Sequence, residues 1–236
     1  MKNKLIIFGA TSSIAINFAK DPEVRKIFDI MGIVRRKNNK IKFYKKNILE
    51  WDVLSEDIPN KVKNKILEFK PKSILFAQGM NFNDNIYNFK HNNLNKILAV
   101  NCYYILKVIN ILLKKKIIKD SINFLVISSI WQIVTRRNKL SYTLSKSALS
   151  GLIRSLSIDL KNGHVINSIL PGVINNKMTR ANLSSKQISH VKKMTPGNKL
   201  LSTKELNEII SKFCLIRSMN GQMISADKNF HHAKIF

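Results

Sequence analysis

Short apolar runs alternate with helical patterns along most of the chain, and this alternation constrains the fold more than any other feature. Five or six of the runs have the length of buried strands, and apolar residues at helical spacing follow them. Strands that alternate with helices predict a parallel sheet with helices on both faces. We therefore expect an α/β fold, a single-domain doubly wound parallel sheet of the Rossmann type over residues 1–236. The runs lie at residues 5–8, 29–34, 41–45, 73–76, 122–127 and 165–170.

Composition bounds the class of protein. A chain of 236 residues with 44% hydrophobic content can bury a full core. Its two cysteines, Cys102 and Cys214, cannot form a disulfide framework, so buried free thiols are expected. The first residues lead directly into a strand without a signal-peptide pattern, and the apolar stretch at 103–113 is interrupted by Lys107 and too short for a bilayer. We expect a cytoplasmic protein that does not enter a membrane.

The formal net charge is +27, from 41 Lys and Arg residues against 14 Asp and Glu residues. Such a balance is typical of nucleic-acid-binding proteins. The lysines, however, are spread through the whole chain together with many Asn and Ile residues. A basic nucleic-acid-binding protein therefore remains an alternative, and we do not expect nucleic acid to be the main partner.

The first apolar run leads at once into a turn of small residues and then into a helix. Free backbone N–H groups at a helix N-terminus form a ready site for phosphate. The turn therefore predicts a dinucleotide site, although a purely structural strand-to-helix loop fits it as well. Its candidate cofactor-binding residues are Gly9, Thr11, Ser12, Ser13 and Ile14.

Two arginines, Arg35 and Arg36, follow the second run. In dinucleotide-binding folds an acidic residue near here suits the 2′-hydroxyl of NAD, whereas arginine suits the 2′-phosphate of NADP. Because no acid is present, the sequence favours NADP over NAD. A charged loop tip in a lysine-rich chain is the alternative interpretation.

Ser129, Tyr142 and Lys146 are the candidates for chemistry. Ser129 follows the strand predicted at residues 122–127. Tyr142 and Lys146 lie four positions apart near the start of a helix, so they share one face. We expect the lysine to favour the phenolate and to lower the pKa of Tyr142, and a phenol tuned toward neutral pH can exchange a proton with a carbonyl or alcohol oxygen. Alone, a Tyr-x-x-x-Lys pair also fits a solvated helix face.

Ser129 stands thirteen positions before Tyr142, and this spacing resembles the short-chain dehydrogenase/reductase family. The resemblance covers nearly the whole chain through the ordered set Gly9, Asn101, Ser129, Tyr142, Lys146 and Pro171-Gly172. It implies that Ser129 holds the substrate carbonyl and that Tyr142 is the proton donor and acceptor. It also implies that Lys146 grips the nicotinamide ribose and that Asn101 supports a water in the proton path.

Two motifs of the family are altered in this chain. The phosphate turn keeps only its first glycine, since Phe8 stands for a threonine and Ser13 and Ala15 stand for the later glycines. The family's Asn-Asn-Ala-Gly after the fourth strand keeps only its glycine. The resemblance places the remaining cofactor contacts at Asn47, Ile48, Ala77, Gln78, Gly79, Pro171, Gly172 and Ile174.

The end of the chain carries two adjacent histidines, His231 and His232. No cysteine or carboxylate is paired with them in the sequence, so we expect a frayed tail and no metal site. Just before them, residues 220–224 resemble the closing turn and last strand of the family.

Basic residues surround the region expected to bind substrate. In the family, the segment corresponding to about residues 175–198 is a mobile substrate lid. Cations around a cleft focus an attractive field on anions, so we expect an anionic small-molecule substrate, either a nucleotide-activated sugar or an acyl chain on an acidic carrier protein. The alternative is that these cations only follow the general lysine excess. They are Arg136, Arg137, Lys177, Arg180, Lys186, Lys192 and Lys193.

These observations predict an NADP-dependent oxidoreductase that interconverts a carbonyl and a secondary alcohol. The alternatives are a 3-oxoacyl-carrier-protein reductase, a cofactor-binding protein that has lost catalysis, and a basic nucleic-acid-binding protein. The resemblance also implies a homodimer or homotetramer in which the helices at residues 92–115 and 141–160 pair between subunits.

Overall fold

One parallel sheet of seven strands runs through the part of the chain that the computed structural model describes, residues 2–36, 44, 47–175, 179–180 and 183–232. The strand order is β3-β2-β1-β4-β5-β6-β7, so the direction of winding reverses between β1 and β4. This arrangement confirms the predicted doubly wound fold. The strands are β1 (Asn3–Phe8), β2 (Phe28–Val34), β3 (Ile48–Glu50), β4 (Ser73–Phe76), β5 (Asn123–Ile127), β6 (Val165–Pro171) and β7 (Met223–Ala226).

Helices cover both faces of the sheet. The α-helices are α1 (Ser13–Lys20), α2 (Pro22–Ile27), α3 (Asn60–Phe69), α4 (His91–Leu98), α5 (Tyr104–Lys114), α6 (Leu140–Asp159), α7 (Ser185–Lys193) and α8 (Thr203–Leu215). A π-helical turn, Ala99–Tyr103, joins α4 to α5, and two short 3₁₀ turns lie at Ile130–Gln132 and Pro196–Asn198. Neither α2 nor α7 was predicted from the sequence, because both are short and largely exposed.

The alternation of side chains along each strand builds two apolar layers. In β1, Ile6 and Phe8 pack with α3, α5 and α6 on one face, while Leu5 and Ile7 pack with α1 and α8 on the other. All four side chains are fully buried. Burying one such side chain contributes about 1.5–3 kcal/mol, so the two layers hold the carboxyl ends of the strands in fixed positions.

Aromatic stacking links the strands that carry the altered family motifs. Phe8 and Phe76 are register partners in β1 and β4, and their ring centroids lie 5.4 Å apart in a stacked arrangement. Phe76 in turn stacks on Phe124 of β5 at 6.4 Å. Pairs of this kind contribute about 0.5–1.5 kcal/mol beyond their burial. The apolar stack therefore occupies the place where the family has polar residues across the sheet.

The third strand lies further along the chain than predicted. The run at residues 41–45 lies outside the described residues, except for Tyr44, and β3 instead spans Ile48–Glu50. The prediction that Asn47 and Ile48 follow the third strand is therefore wrong, whereas their contact with the adenine stays a prediction. Ile48 opens the strand, and its side chain is buried in the same apolar cluster as Tyr44.

The helical stretch His91–Lys114 is long and apolar enough, by length and composition, to cross a membrane. Its buried residues Ile105, Val108 and Leu112 pack in the core beneath the sheet, which accounts for the apolar composition. That the chain does not enter a membrane stays a prediction.

The end of the described chain is more ordered than predicted. Oδ2 of Asp227 lies 2.6 Å from Nδ1 of His231 and accepts the backbone N–H of the same residue at 2.8 Å. Phe230 between them is buried in a small apolar cluster. The prediction of a frayed tail is therefore wrong as far as His232, and so is the statement that no carboxylate accompanies these histidines.

Candidate active site

The carboxyl ends of the central strands open into a cleft with a volume of about 880 Å³. The cleft lies at the point where the winding of the sheet reverses, which is the usual ligand position in open α/β sheets. Its walls combine the start of α1, the loops after β4, β5 and β6, the start of α6, and α7.

The turn after β1 adopts the conformation that its glycine permits. Gly9 has φ +72°, and a Cβ at this position would lie 2.6 Å from Cα of Gln78. The left-handed backbone and the close approach to the loop after β4 both require glycine. The one glycine that the turn retains is therefore the one its geometry needs.

The first turn of α1 faces the cleft. Ser12 caps the helix, because its hydroxyl accepts the N–H of Ala15 at 3.2 Å. Ser13 and Ile14 line the cleft beside Ser12, whereas Thr11 lies within the turn and outside the lining. The first N–H groups of a helix have no partner within it, so this end of α1 can hold an anion.

Ser129 stands at the end of β5, as predicted. It is the N-cap of the 3₁₀ turn Ile130–Gln132, and its hydroxyl accepts the N–H of Trp131 at 3.4 Å. The side chain is buried, lines the cleft and hydrogen-bonds to Tyr142. Strand β5 and helix α6 therefore bring the serine and the phenol together.

Burial raises the pKa of Tyr142 above its ordinary value, and the hydrogen bond with Ser129 lowers it only in part. Nζ of Lys146 lies 5.8 Å from the centroid of the phenol ring. The expectation that Lys146 lowers the pKa of this phenol is wrong for the chain by itself. Desolvation of the phenolate outweighs the attraction of a lysine that is itself buried.

The ammonium of Lys146 is buried and donates to the backbone oxygen of Ile127 at 3.2 Å. Burial lowers the pKa of this lysine to about 8, and Cys102 opposes the shift. The side chain comes from the same face of α6 as Tyr142, as predicted, and both line the cleft.

Asn101 lies in the π-helical turn between α4 and α5 and is buried. Its Oδ1 accepts the N–H of Met80 at 2.8 Å, and its Nδ2 donates to the hydroxyl of Ser145 at 2.9 Å. The side chain thus ties the loop after β4 to α6, one residue before Lys146. π-Turns often accompany functional sites because they reorient single residues in this way.

The loop after β4 supplies an unsatisfied acceptor. Oε1 of Gln78 is buried and, among the described residues, has no hydrogen-bond partner. Ala77, Gln78 and Gly79 all line the cleft, as predicted. A buried acceptor without a partner costs free energy, so its position in the cleft suits a ligand that donates a hydrogen bond.

The end of β6 and the loop that follows it form another wall of the cleft. Pro171, Gly172 and Ile174 line the cleft, as predicted. A Cβ on Gly172 would lie 2.6 Å from Cβ of Asp227, so the loop packs directly on the chain after β7. Ile174 pairs with Leu201 in an isolated parallel bridge, which fixes the start of the lid segment.

The predicted cations lie in different parts of the molecule. Arg136 and Lys186 line the cleft. The exposed Arg35 and Arg36 follow β2, next to the turn after β1, where the N–H of Ala10 donates to Ile33 at 3.3 Å. Lys177 lies outside the described residues. The remaining predicted cations are described but do not line the cleft, and they are Arg137, Arg180, Lys192 and Lys193.

Sequence reasoning missed two basic residues of the cleft, Lys139 and His190. Lys139 is buried and N-caps α6 three residues before Tyr142. Its position three residues before Tyr142 could have indicated that Lys139 lies in the cleft, but the many other lysines of the chain made this one inconspicuous. In the described part of the chain, no group of three or more His, Cys, Asp or Glu residues could hold a metal.

The sheet order and the cleft at its switch point define a Rossmann-type α/β protein. A family model described as enoyl-(acyl carrier protein) reductase matches residues 37–231. The chain therefore belongs to the short-chain dehydrogenase/reductase family.

Among curated proteins, the chain is similar to the 3-oxoacyl-[acyl-carrier-protein] reductase FabG of Buchnera aphidicola subsp. Baizongia pistaciae. The two are 29% identical over 125 residues, which are 52% of this chain and 51% of that protein. The match thus spans about half the length of the relative.

Solved structures of low identity share the fold. A 3-oxoacyl-[acyl-carrier protein] reductase from Brucella melitensis in complex with NAD is 17% identical, with a TM-score of 0.83 over 100% of this chain and 99% of that chain. ElxO with NADP bound is 19% identical, with a TM-score of 0.81 over 98% of this chain and 100% of that chain. A short-chain dehydrogenase family protein from Francisella tularensis is 18% identical, with a TM-score of 0.77 over 98% of this chain and 100% of that chain.

Proposed function

We propose that this protein is an NADP-dependent oxidoreductase that interconverts a carbonyl and a secondary alcohol. The observation that carries the proposal is the convergence of Ser129, Tyr142 and Lys146 in one cleft with the first turn of α1. A hydroxyl, a phenol and a buried ammonium from separate positions in the chain can together orient a carbonyl oxygen and exchange a proton with it.

The residues present fit a nicotinamide dinucleotide. The N–H groups of Ser13 and Ile14 at the start of α1 suit the pyrophosphate, and Oε1 of Gln78 suits a hydroxyl or amide donor. Lys146 would hold the nicotinamide ribose. When bound, the nicotinamide supplies or accepts the hydride.

The chain itself handles the oxygen and its proton. The hydroxyl of Ser129 and the phenol of Tyr142 bind the substrate oxygen, and Tyr142 donates the proton in reduction or accepts it in oxidation. A phenol with a raised pKa stays protonated at neutral pH, so it enters the reductive direction as an acid. Lys146 stabilises the phenolate that remains after the transfer.

The test is Tyr142→Phe. We expect NADPH binding, followed by cofactor fluorescence, to stay within about twofold, while turnover falls by at least ~10²-fold, because a positioned acid contributes about this much. Tyr87→Phe, at a 97% exposed tyrosine, serves as the control and should change neither quantity. If the parent protein turns over no carbonyl in a broad panel, the cofactor-binding protein without catalysis becomes the better account.

Arg35 and Arg36 support the choice of NADP over NAD. Both are exposed at the end of β2, next to the turn that would hold the pyrophosphate. A charge-assisted contact with the 2′-phosphate contributes about 1.5–3 kcal/mol, which is tenfold or more in affinity. Titration should show tighter binding of NADPH than of NADH, and Arg35→Ala with Arg36→Ala should abolish the difference. Equal affinities in the parent would contradict the choice.

A specific candidate for the activity is reduction of 3-oxoacyl chains on a carrier protein. The matching segment of the Buchnera reductase supports it.

More generally, Arg136 and Lys186 in the cleft support an anionic substrate, of which a nucleotide-activated sugar is the other example. The Debye length falls from about 10 Å at 0.1 M salt to about 3 Å at 1 M, so added salt weakens the attraction between the cleft and an anion. The value of kcat/KM on such substrates should therefore fall with salt. Arg136→Glu should lower it further, and Lys161→Glu, at an exposed site beyond α6, should not.

We also propose that the chain forms a cytoplasmic homodimer or homotetramer through α4–α5 and α6. Large apolar side chains are exposed on this surface: Tyr103 of the π-helical turn at 53%, and Leu144 and Ile158 of α6 at 45% and 84%. Such exposure suits burial against a second copy. Leu144→Glu with Ile158→Glu should yield monomers by light scattering, whereas Leu215→Glu, outside these helices and 43% exposed, should not.

A further inference from the structure

Lys139 is a buried cation that the proposed chemistry does not use. Its side chain reaches the cleft although the residue is only 5% exposed. Nζ donates to Oδ1 of Asn81 at 2.9 Å and to Oδ1 of Asn83 at 2.5 Å. Two neutral amides from the loop after β4 therefore fix the ammonium in place.

No carboxylate pairs with this ammonium in the described part of the chain. Asp84, the nearest acid in sequence to those amides, accepts the N–H of Ser141 at 3.0 Å and also its hydroxyl. The carboxylate is therefore committed to the start of α6. An ammonium has three donors, and Asn81 and Asn83 account for two.

The ammonium also stands beside the reactive phenol. Nζ lies 5.6 Å from the ring centroid of Tyr142. The guanidinium of Arg136, held over the ring of Trp131 at 5.7 Å, lines the same part of the cleft. Burial and Arg136 lower the pKa of Lys139 to about 8, and Asp84 opposes the shift.

A buried charge with neutral partners is only partly compensated, and an arriving anion would complete its shell. We propose that Lys139 binds a carboxylate of the substrate next to the reacting carbonyl, so that the substrates are small oxo acids and the corresponding hydroxy acids, in place of carrier-bound acyl chains, whose carboxyl group is a thioester, and of nucleotide-activated sugars. This inference rests on the proposed function for its second half, because the reacting carbonyl is assigned there. The carboxylate site itself is defined by Lys139, Asn81, Asn83 and Arg136.

The first experiment measures binding, without turnover. Ligand-observed NMR titration compares acetoacetate with methyl acetoacetate on the NADP-loaded protein. The parent should bind the acid at least ~10-fold more tightly than the ester, the worth of one charge-assisted hydrogen bond. Lys139→Gln should abolish the preference, Lys139→Arg should keep it, and Lys161→Gln should behave as the parent. An acid bound no better than its ester, or a preference that survives Lys139→Gln, overturns the inference.

The second experiment measures kcat/KM for the same pair. Lys139→Gln should lower the value for the acid at least ~10-fold and the value for the ester by less than about threefold. Equal losses on both would assign Lys139 a structural role and overturn the inference. If the acid binds selectively but no variant turns it over, the proposed function fails and the carboxylate site stands. If only neutral ketones react, the proposed function stands and the carboxylate site is overturned.

The third measurement follows pH, because Lys139 has a pKa of about 8. The charged and titratable groups that face it are Arg136, Asp84 and Tyr142. Above pH 8 the ammonium loses its proton, so the preference for the acid should decline in the parent. It should persist in Lys139→Arg, since a guanidinium does not titrate in this range. The same decline in both proteins would contradict the assignment.

Discussion

Gly9→Ala tests the geometry of the turn on which the proposed cofactor site depends. Two independent costs act on the new methyl group. The left-handed backbone, φ +72°, costs an L-residue about 1–2 kcal/mol. The contact with Cα of Gln78 at 2.6 Å forces two loops apart, and overpacking of this kind costs about 1–3 kcal/mol.

Gly197→Ala separates the two costs. Gly197 has φ +75°, and a Cβ there would meet no atom within 4 Å. This variant should therefore lose only the backbone part, about 1–2 kcal/mol. Gly9→Ala should lose about 2–5 kcal/mol in total.

Urea unfolding followed by circular dichroism gives both losses, and thermal scans give a second reading. One kcal/mol shifts the melting temperature of a chain of this size by about 2–4 °C, so Gly9→Ala should melt about 2–12 °C below Gly197→Ala. NADPH affinity should also fall in Gly9→Ala, because Gln78 must move. Equal stabilities of the two variants would refute the claim that Gly9 is required by the approach of the second loop.

Other expectations follow from the buried ammonium of Lys146, from the carboxylate of Asp84 at the start of α6, from the cap of α8 and from the close approach of Gly172 to Asp227. Burial lowers the pKa of Lys146 from 10.5 to about 8, so between these values the unfolded chain binds more protons and stability rises with pH. The parent should gain stability relative to Lys146→Met from about pH 8 to 10.5, and a constant difference in urea titrations would contradict this. Asp84→Ala removes the acceptor of the Ser141 N–H. It should lower the free energy of unfolding by about 1–3 kcal/mol and should also lower turnover. Ser202→Ala, which breaks the cap of α8 away from the cleft, should cost about 1 kcal/mol in the same melts and leave turnover unchanged. Gly172→Ala should weaken NADPH binding in fluorescence titrations, because its Cβ would lie 2.9 Å from backbone after β7, and unchanged affinity would show that the loop relaxes freely.

Local patterns in the sequence were sufficient to predict the sheet and the presence of Ser129, Tyr142 and Lys146 in one cleft. The spacing of Ser129, Tyr142 and Lys146 was informative because a strand end and one helix face leave little freedom for where these side chains lie. The position of the third strand in the sheet was not predicted, since β3 has only three residues, too few for a clear alternating pattern.

Contacts between distant parts of the chain were not predictable in this way. Lys139 belongs to the cleft because Asn81 and Asn83 approach it from 56–58 residues away. The direction of the pKa shift of Tyr142 was wrong for the same reason. Burial depends on everything that packs around a group, whereas the sequence displayed only the neighbouring lysine.

The stacked rings of Phe8 and Phe76 make this departure from the family pattern difficult to undo one step at a time. Phe76→Asn alone would bury an amide against an apolar ring and leave a cavity, a cost of about 3–5 kcal/mol. The reverse change at Phe8 alone meets the same obstacle. Restoring polar residues at these two positions therefore needs both substitutions together, because either one alone leaves a polar group against the remaining ring.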